Sequence, residues 1–545
     1  MATSRLLTPG NAGHRAGAIF RGGLGVNRRA LLLLAAAPLA AAPLASPALA
    51  QAPALDWAAR IGAQAAETAL AAATDASGAI VLAGSFSLTV DFDPGPGVHE
   101  LTGSVTDPFL ARYASDGSLL WADAFVGVNN ADLATAVAAR GDAVFVCGDF
   151  VSPALDMDPG PGTFELPPSP TTGPDAFVGR YAAADGALVW AFSIGGSGGV
   201  VQFSRATLDA AGDLLVAGLL LGTVDFDPGP GSAPLTAGIG TDVFFAKYDA
   251  DGDLVWARSL RQIASSASGT PDGVGGLAVD PADDSFVLVG TLNGTIDFDP
   301  GAGTSLLTGS GGTDPFLARY DAGGDLVWAH ALASEGNANL ALGAGLGAAG
   351  EIFVLGMISG ETDFDPDPVA TAPRSGPGGL DLFLARYTPS GEFVWAEAFG
   401  GLGTDRPFDL RVAPNGEITI SGTYNAQPDL DPGPGTFPLP APADQNGFVA
   451  RYEPGAGALL SAGALEQVNG NSGVSEARLA HGPAAGDVVV GSFSNQADFD
   501  PGPGLAVLES AGAADAFLVR LDGSSTLFAD GFESGDTSAW SSVVP

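Results

Sequence analysis

The sequence is poor in cysteine and in basic residues. Its one cysteine, Cys147, cannot form an internal disulfide, and its apolar, strand-like neighbours predict a buried and unreactive thiol. Only 21 lysines and arginines stand against 61 acidic residues, which gives a formal charge of −40. Such a surface repels nucleic acid and anionic membranes, so we expect no nucleic-acid partner. The acidity favours solubility or contact with cations and basic partners.

Histidine is also scarce, and the usual catalytic motifs are missing. His14, His99, His330 and His481 are scattered, and no pair has the spacing of a metal site. No nucleophile elbow or glycine-rich phosphate loop stands in a strand–turn–helix context. The sequence therefore indicates no catalytic residue and no certain cofactor, and we predict that the protein is not an enzyme.

The first 50 residues predict an export signal. Arg28 and Arg29 precede an apolar run, and Ala48-Leu49-Ala50 fits cleavage before Gln51. The two arginines also resemble a twin-arginine signal, so Sec and Tat export both stay open, and an uncleaved anchor is the alternative. No later segment has the length and apolarity of a membrane span. We therefore expect residues 1–50 to be removed from an exported, soluble chain.

A seven-fold repeat dominates the rest of the sequence. The motif Asp-x-Asp-Pro-Gly-Pro-Gly returns, with small changes, at a nearly constant spacing along the chain. A fixed period of this kind indicates a repeat architecture. The copies begin at Asp91, Asp156, Asp225, Asp297, Asp363, Asp429 and Asp498.

Each repeat contains about four short strands and no helical pattern. A segment such as Asp107 to Tyr113 alternates as a half-buried strand does, and a glycine-containing turn joins it to a strand around Trp121. Four antiparallel strands in each of seven repeats predict an all-β, seven-bladed β-propeller over residues 51–525, with residues 526–545 as a C-terminal tail. Two smaller propellers and an open solenoid are the alternatives.

The first strand of the mature chain has the phase of the last strand of a blade. Trp57 precedes Asp91 by the same number of positions as Trp395 precedes Asp429. The strand around Trp57 should therefore pair with the strand that begins at Asp515 and close the ring, which removes two exposed sheet edges. Residues 526–530 are the alternative closing strand.

Two other residues recur once in each repeat. The tryptophan, as in Trp121, is predicted to pack between blades. The arginine of Asp-x-Phe-x-Ala-Arg-Tyr, as in Arg112, is predicted at the surface or a blade edge, where an ion pair contributes little, and it is given no role.

The repeat resembles a known family. Ala79 to Ser85, followed by Asp-x-Phe-x-Ala-Arg-Tyr and a glycine-containing turn, is similar to the bacterial SBBP-type β-propeller repeat of exported proteins, over residues 54–522. The resemblance implies a bacterial protein that is secreted, periplasmic or on the cell surface. It implies no activity, because members of that family lack a shared catalytic site.

Three classes of function fit the sequence. We favour a non-catalytic scaffold or binding module, monomeric, with a protein or glycan ligand. The alternatives are a carbohydrate-active propeller enzyme with a site at one ring face, and a purely structural envelope protein. An enzyme should gather non-repeated polar residues at one mouth of the channel, whereas a binder should show repeated or extended loops. The segment from Arg261 to Gly275 is predicted as the one clear loop extension and favours binding.

The acidic loops suggest weak calcium binding as a hypothesis. In an extended segment Asp91 and Asp93 point the same way, and Phe92 points opposite, into apolar packing. Turn carbonyls and water can add oxygen ligands, and extracellular modules use weak calcium sites. The alternative is that each aspartate caps amides of its own turn. The candidate metal ligands are Asp91, Asp93, Asp156, Asp158, Asp225, Asp227, Asp297, Asp299, Asp363, Asp365, Asp429, Asp431, Asp498 and Asp500.

Overall fold

The computed structural model describes residues 51–128, 131–166, 173–195, 199–264, 273–310, 312–336, 338–468, 473–483 and 486–523. The predicted export signal and the predicted tail lie outside these ranges. The described residues form strands, turns and connections. Among them there is no helix with the length and apolarity that crossing a membrane requires.

Seven antiparallel sheets contain most of the described strands, and each has four strands in the order inner, second, third and outer. One or two short strands extend the third, fifth and sixth sheets beyond the outer strand. The inner strands are Thr68–Thr74, Leu133–Arg140, Val200–Leu208, Gly273–Val279, Leu340–Leu346, Asp405–Val412 and Val474–Leu479. The second strands are Ile80–Phe86, Ala143–Phe150, Leu214–Asp225, Phe286–Leu292, Ile352–Ile358, Ile418–Tyr424 and Asp487–Phe493.

The third strands are Asp107–Tyr113, Asp175–Ala182, Pro234–Tyr248, Asp314–Tyr320, Asp381–Tyr387, Asn446–Tyr452 and Asp515–Leu521. The outer strands are Leu119–Ala124, Leu188–Ile194, Leu254–Ala264, Leu326–Ala331, Phe393–Gly401, Leu459–Gln467 and, for the seventh sheet, Leu55–Ile61. Short strands near the acidic loops are Thr89–Asp91, Glu100–Thr102, Val126–Gly127, Leu155–Asp156, Glu165–Leu166, Thr295–Asp297, Leu306–Thr308, Thr362–Asp363, Pro373–Arg374, Pro428–Asp429, Gln496–Asp498 and Val507–Glu509.

The predicted loop extension is partly wrong. Arg261 and the residues up to Ala264 continue the outer strand of the third sheet, and Gly273 to Gly275 begin the next inner strand. Residues 265–272 lie outside the described ranges. Arg261 and Gln262 are therefore strand residues, and they pair with Asp297 and Ile296 in the next repeat.

The outer strand of the seventh sheet comes from the other end of the chain. Leu55–Ile61 runs antiparallel to Asp515–Leu521, with Ala59 opposite Leu518. This is the partner that the phase of Trp57 predicts. Residues 526–530, the alternative partner, lie outside the described residues.

The inner strands lie side by side in chain order, and the seventh lies beside the first. At that junction the His481 amide donates to the Ala72 carbonyl over 3.2 Å, and the Thr74 amide donates to the His481 carbonyl over 2.8 Å. The apolar core fills the spaces between neighbouring sheets, as where Val81 of the first sheet joins Phe177 of the second in one buried cluster. Each sheet is therefore stabilised mainly by its neighbours.

The tryptophan and the arginine of one repeat bind the same carbonyl of the next. Trp121 Nε1 and Arg112 Nη1 each donate to the Ala183 carbonyl over 2.9 Å. The prediction that the tryptophans pack between repeats is confirmed, and the arginine, to which the sequence assigns no function, also joins one repeat to the next. The same double contact is made by Trp57 with Arg520, Trp190 with Arg180, Trp328 with Arg319, and Trp395 with Arg386.

The sixth repeat departs from this pattern because Ser461 stands in the tryptophan position. There Arg451 Nε lies 2.8 Å from Asp487 Oδ2, and Arg411 Nη1 lies 2.9 Å from Asp487 Oδ1. Thr419 Oγ1 donates to the same carboxylate over 3.0 Å. A buried ion pair thus joins the sixth sheet to the seventh where the tryptophan is missing.

Alanine at Gly117 should destabilise the protein more than alanine at Gly141. Both glycines have a positive φ, of 85° and 61°, which costs an L residue about 1–2 kcal/mol. A Cβ at Gly117 would lie 3.2 Å from the Trp57 ring, whereas none of the described atoms lies within 4 Å of a Cβ at Gly141. Urea unfolding of the two variants isolates the contact with Trp57. Equal losses of stability would show that the ring tolerates the methyl group.

Stability should fall as the pH rises from about 4.5 to about 8, because of a buried glutamate. Glu67 is fully buried, and burial, helped by the nearby Asp515, raises the pKa of its carboxyl from 4.5 to about 8. In this pH window the folded state keeps a proton that the unfolded state releases, so rising pH favours unfolding. Burial also raises the pKa of Asp405 and of Asp149 to about 7, which adds to the same trend.

Glu67→Gln should flatten this pH dependence and should raise the melting temperature at pH 8 relative to the unmodified protein. Glu100→Gln, at an exposed position, is the control and should leave the profile unchanged. Thermal unfolding between pH 4.5 and 8 measures both. A Glu67→Gln profile as steep as that of the unmodified protein would contradict the assignment to Glu67.

Candidate functional site

The predicted calcium ligands lie in the turns between the second and third strands. Asp91 Oδ1 accepts the amides of Asp93 and His99, at 3.1 and 2.8 Å, and Asp93 Oδ1 accepts the Gly95 amide at 2.8 Å. Each aspartate therefore caps amides of its own turn, as the alternative interpretation expects. The first aspartate caps its turn in the same way in the copies that begin at Asp156, Asp225, Asp297, Asp363, Asp429 and Asp498.

The residue between the two aspartates anchors each turn. Phe92 is fully buried against Phe86 and Phe109, and its carbonyl accepts the Tyr113 hydroxyl over 3.0 Å. The prediction that this side chain points into apolar packing is confirmed. The equivalent residues, all 0% exposed, are Met157, Phe226, Phe298, Phe364, Leu430 and Phe499.

Calcium binding by these turns stays a prediction. Among the described residues there is no group of three or more His, Cys, Asp or Glu side chains arranged to hold a metal ion. If the aspartate pairs bind calcium with turn carbonyls and water, millimolar calcium should raise the melting temperature relative to chelator, and magnesium should not. The fifth copy, where Asp367 adds a carboxylate, should bind most tightly. No calcium-specific rise and no heat of binding would leave turn capping as the only role of these aspartates.

A different set of residues faces the space between the inner strands. Six inner strands contain a bulge at matching positions, where one residue has no partner on the second strand. Bulges re-aim side chains and are common next to binding sites. The bulged residues are Leu70, Thr135, Ser204, Gly275, Leu342 and Phe408, and together with Arg478 they line a cavity of about 290 Å³.

One position of the inner strand is small in four sheets and charged in the other three. The residue at this position pairs with the residue that precedes the glycine of the second strand. The small residues are Ala71, Ala136, Gly276 and Gly343, and the charged ones are Arg205, Asp409 and Arg478. The charges therefore do not follow the repeat, although the backbone position does.

Three arginines converge on the cavity: Arg205, Arg406 and Arg478. The guanidinium carbons of Arg406 and Arg478 lie 5.0 and 5.4 Å from the centre of the Phe408 ring. Arg205 Nη2 donates to the Leu342 carbonyl, two sheets further along the chain, over 3.2 Å. The described lining of this cavity contains no aspartate or glutamate. The Phe408 ring thus packs against Arg406 and Arg478 and holds both near Arg205.

The positive charge of the cavity is not fully neutralised. Burial lowers the pKa of Arg205 to about 10, with Arg478 acting in the same direction and Asp409 against it, so Arg205 stays charged at neutral pH. Arg478 Nε lies 3.3 Å from Glu476 Oε2. The side chain of Arg406 is exposed and makes no hydrogen bond or ion pair with the described part of the chain. A protein with a formal charge of −40 thus presents basic groups here.

An aspartate–histidine pair lies beside these arginines. His481 Nε2 is 2.8 Å from Asp409 Oδ1. Burial alone would raise the pKa of Asp409, but His481, Arg205 and Arg478 outweigh it and hold this pKa below its ordinary value. Asp409 is therefore ionised near neutral pH and can orient the imidazole. His481 also lines a second cavity, of about 470 Å³.

This cluster is not visible in the sequence, where His481 stands as an isolated histidine. Arg205, Asp409 and Arg478 belong to three different repeats and lie far apart along the chain, so no local motif joins them. The available signal was a charged residue at an inner-strand position that is alanine or glycine in the other four repeats. This difference becomes visible only when the seven repeats are aligned on the glycine of the second strand.

Cys147 behaves as the sequence predicts. It is fully buried in its strand, and burial raises the pKa of its thiol well above the ordinary value, so the thiolate does not form near neutral pH.

The repeated antiparallel sheets, whose inner strands lie side by side, define an all-β repeat protein of the β-propeller class. No protein-family profile matches the chain. An uncharacterised WD repeat-containing protein, L264, of Acanthamoeba polyphaga mimivirus is 23% identical over 279 residues, which is 45% of this chain and 19% of that protein. The regulatory protein FlaEY of Caulobacter vibrioides is 29% identical over 191 residues, or 34% of this chain and 18% of that protein. The chain thus spans about a fifth of each relative.

Solved structures with a similar fold are distant. The quinohemoprotein alcohol dehydrogenase of Comamonas testosteroni is 9% identical with a TM-score of 0.35, over 88% of this chain and 78% of that chain. The β-propeller domain of Cps50 (Swd1) of Myceliophteria thermophila is 8% identical with a TM-score of 0.35, over 82% of this chain and 96% of that chain.

Proposed function

We propose that the protein is an exported, non-catalytic β-propeller of the SBBP type whose seven blades close into one ring around a ligand-binding channel. The double contact of Trp57 and Arg520 with Ser115 supports closure, because it repeats between the last and first sheets the contact seen between consecutive sheets. The side-by-side inner strands support a single ring rather than two smaller ones.

The composition of the channel supports binding rather than catalysis. Non-repeated polar residues gather in the channel, which the sequence analysis expected of an enzyme. However, three of them are arginines, and an arginine stays protonated near neutral pH, so it binds and orients an anion but does not exchange protons. The ionised Asp409 lacks the raised pKa that a glycosidase needs for its general acid. The arginine cluster is the observation on which the proposal rests.

A glycan, polypeptide and small-molecule array probed with the chain from Gln51 onward tests this function. A ligand that is bound and recovered unchanged supports a binding module. Recovery of chemically altered array components would instead support an enzyme.

N-terminal sequencing of the exported protein tests the export signal, and intact residues 1–50 in a soluble extracellular fraction would contradict it.

The enzyme alternative has one specific contact in its favour, the 2.8 Å contact between His481 and Asp409. There the imidazole would exchange protons while Asp409 fixes its orientation. If turnover is found in the array, His481→Gln should abolish it while binding persists. A structural envelope role would give neither binding nor turnover.

A further inference from the structure

The bulge-lined cavity combines features of an anion-binding site. Its described lining supplies Arg205, Arg406 and Arg478 together with the hydroxyl-bearing Thr135 and Ser204, and no carboxylate. The guanidinium fork matches the two oxygens of a carboxylate, and charge-assisted hydrogen bonds are stronger than neutral ones. Most arginines of the repeat are used in contacts between sheets, whereas Arg406 has no such partner among the described residues.

Neighbouring groups hold the arginines in place before any ligand arrives. Arg205 Nη1 and Nη2 donate to the carbonyls of Ser204 and Leu342 over 2.8 and 3.2 Å. Phe408 is buried and packs against both Arg406 and Arg478. A site whose donors are already ordered loses less conformational entropy when it binds.

The size of the cavity limits the ligand. About 290 Å³ lies at the lower end of the range for ligand pockets, so the cavity accommodates a small molecule or one terminal group of a larger one. The acidic surface elsewhere on the protein repels anions, whereas the basic cavity attracts them.

We propose that this cavity binds a small organic acid through its carboxylate groups, with Arg406 and Arg478 contacting the carboxylate and Arg205 closing the inner side. This inference rests on the proposed binding function and names its ligand class. Arg406 makes no hydrogen bond with the described part of the chain, so its contribution to affinity can be removed without disturbing a contact between sheets.

Titration calorimetry of the chain from Gln51 onward with succinate, citrate and glucuronate tests this. Glucose serves as the uncharged analogue, and sodium chloride matches the ionic strength. Carboxylates should give saturable heat that glucose and chloride do not give. Arg406→Gln should weaken binding about tenfold or more, equivalent to about 1.4 kcal/mol. Arg258→Gln is the matched control, because Arg258 stacks on Trp256 at 5.8 Å on an outer strand, and it should leave affinity unchanged.

The proposal is overturned if none of the three acids binds, if chloride gives the same response, or if Arg406→Gln binds as tightly as the unmodified chain. These outcomes separate the inference from the proposed function. A ligand found on the array whose binding is insensitive to Arg406→Gln would leave the binding function standing and place its site elsewhere. Melting temperatures of both variants establish that they fold.

Discussion

Replacement of Asp487 by asparagine should lower the free energy of unfolding by about 3–5 kcal/mol, because it removes the buried carboxylate that two arginines share. The side chains of Arg411 and Arg451 are 6% and 2% exposed, and both bind Asp487, whose side chain is 3% exposed. Urea unfolding of the chain from Gln51 onward measures the effect.

An exposed ion pair, between Asp56 and Arg520, supplies a control for this prediction. Asp56 pairs with Arg520 at 3.5 Å, but its side chain is 58% exposed. Asp56→Asn should therefore cost about 0–1 kcal/mol, as exposed ion pairs usually do. If the two variants lose similar stability, the ion pair at Asp487 does not stabilise the junction that lacks a tryptophan.

Removal of residues 51–62 should have the other large effect. The deletion removes the outer strand of the seventh sheet, the contact of Trp57 with Ser115, and the buried side chain of Ile61. Burial of one such apolar side chain contributes about 1.5–3 kcal/mol, so the loss for the whole strand should exceed about 3 kcal/mol. The exposed edge of Asp515–Leu521 should also promote aggregation.

Truncation of residues 526–545 is the comparison for this deletion, because residues 526–530 are the alternative closing strand. The truncated chain should keep the melting temperature of the full one and stay monomeric in light scattering. If the C-terminal truncation destabilises the protein and the N-terminal deletion does not, residues 526–530 and not Leu55–Ile61 supply the outer strand of the seventh sheet.

Much of the fold could be predicted from the sequence because its signals are repeated. The period indicated the number of repeats, the alternating segments marked the third strands, and the phase of Trp57 indicated a partner for Asp515–Leu521. The role of the repeat arginine could not be predicted, since Arg112 acts on Ala183 in the next repeat, and only the spacing of the sheets brings them together.

The candidate site could not be predicted for a related reason. The inner strands that carry Arg205 and Asp409 contain no recognisable motif, so neither residue stands out in its local sequence. The direction of a side chain in a strand changes with each bulge, and a one-residue shift moves it to the opposite face. The acidic loops are conspicuous in the sequence because they repeat, yet the Oδ1 atoms of Asp91 and Asp93 cap amides of their own turn.

Cysteine cross-linking measures most directly whether the two ends of the chain meet in one sheet. In a chain carrying Ala59→Cys and Leu518→Cys, the two cysteines are directly opposite across the strand pair, at the separation a disulfide requires. Cys147 is fully buried and does not compete. Ala59→Cys with Val519→Cys is the control, because a shift of one residue points the second thiol to the other face. We predict rapid formation of the first disulfide in the folded protein and little of the second. Equal formation of both disulfides, or absence of the first, would contradict closure by the N-terminal strand.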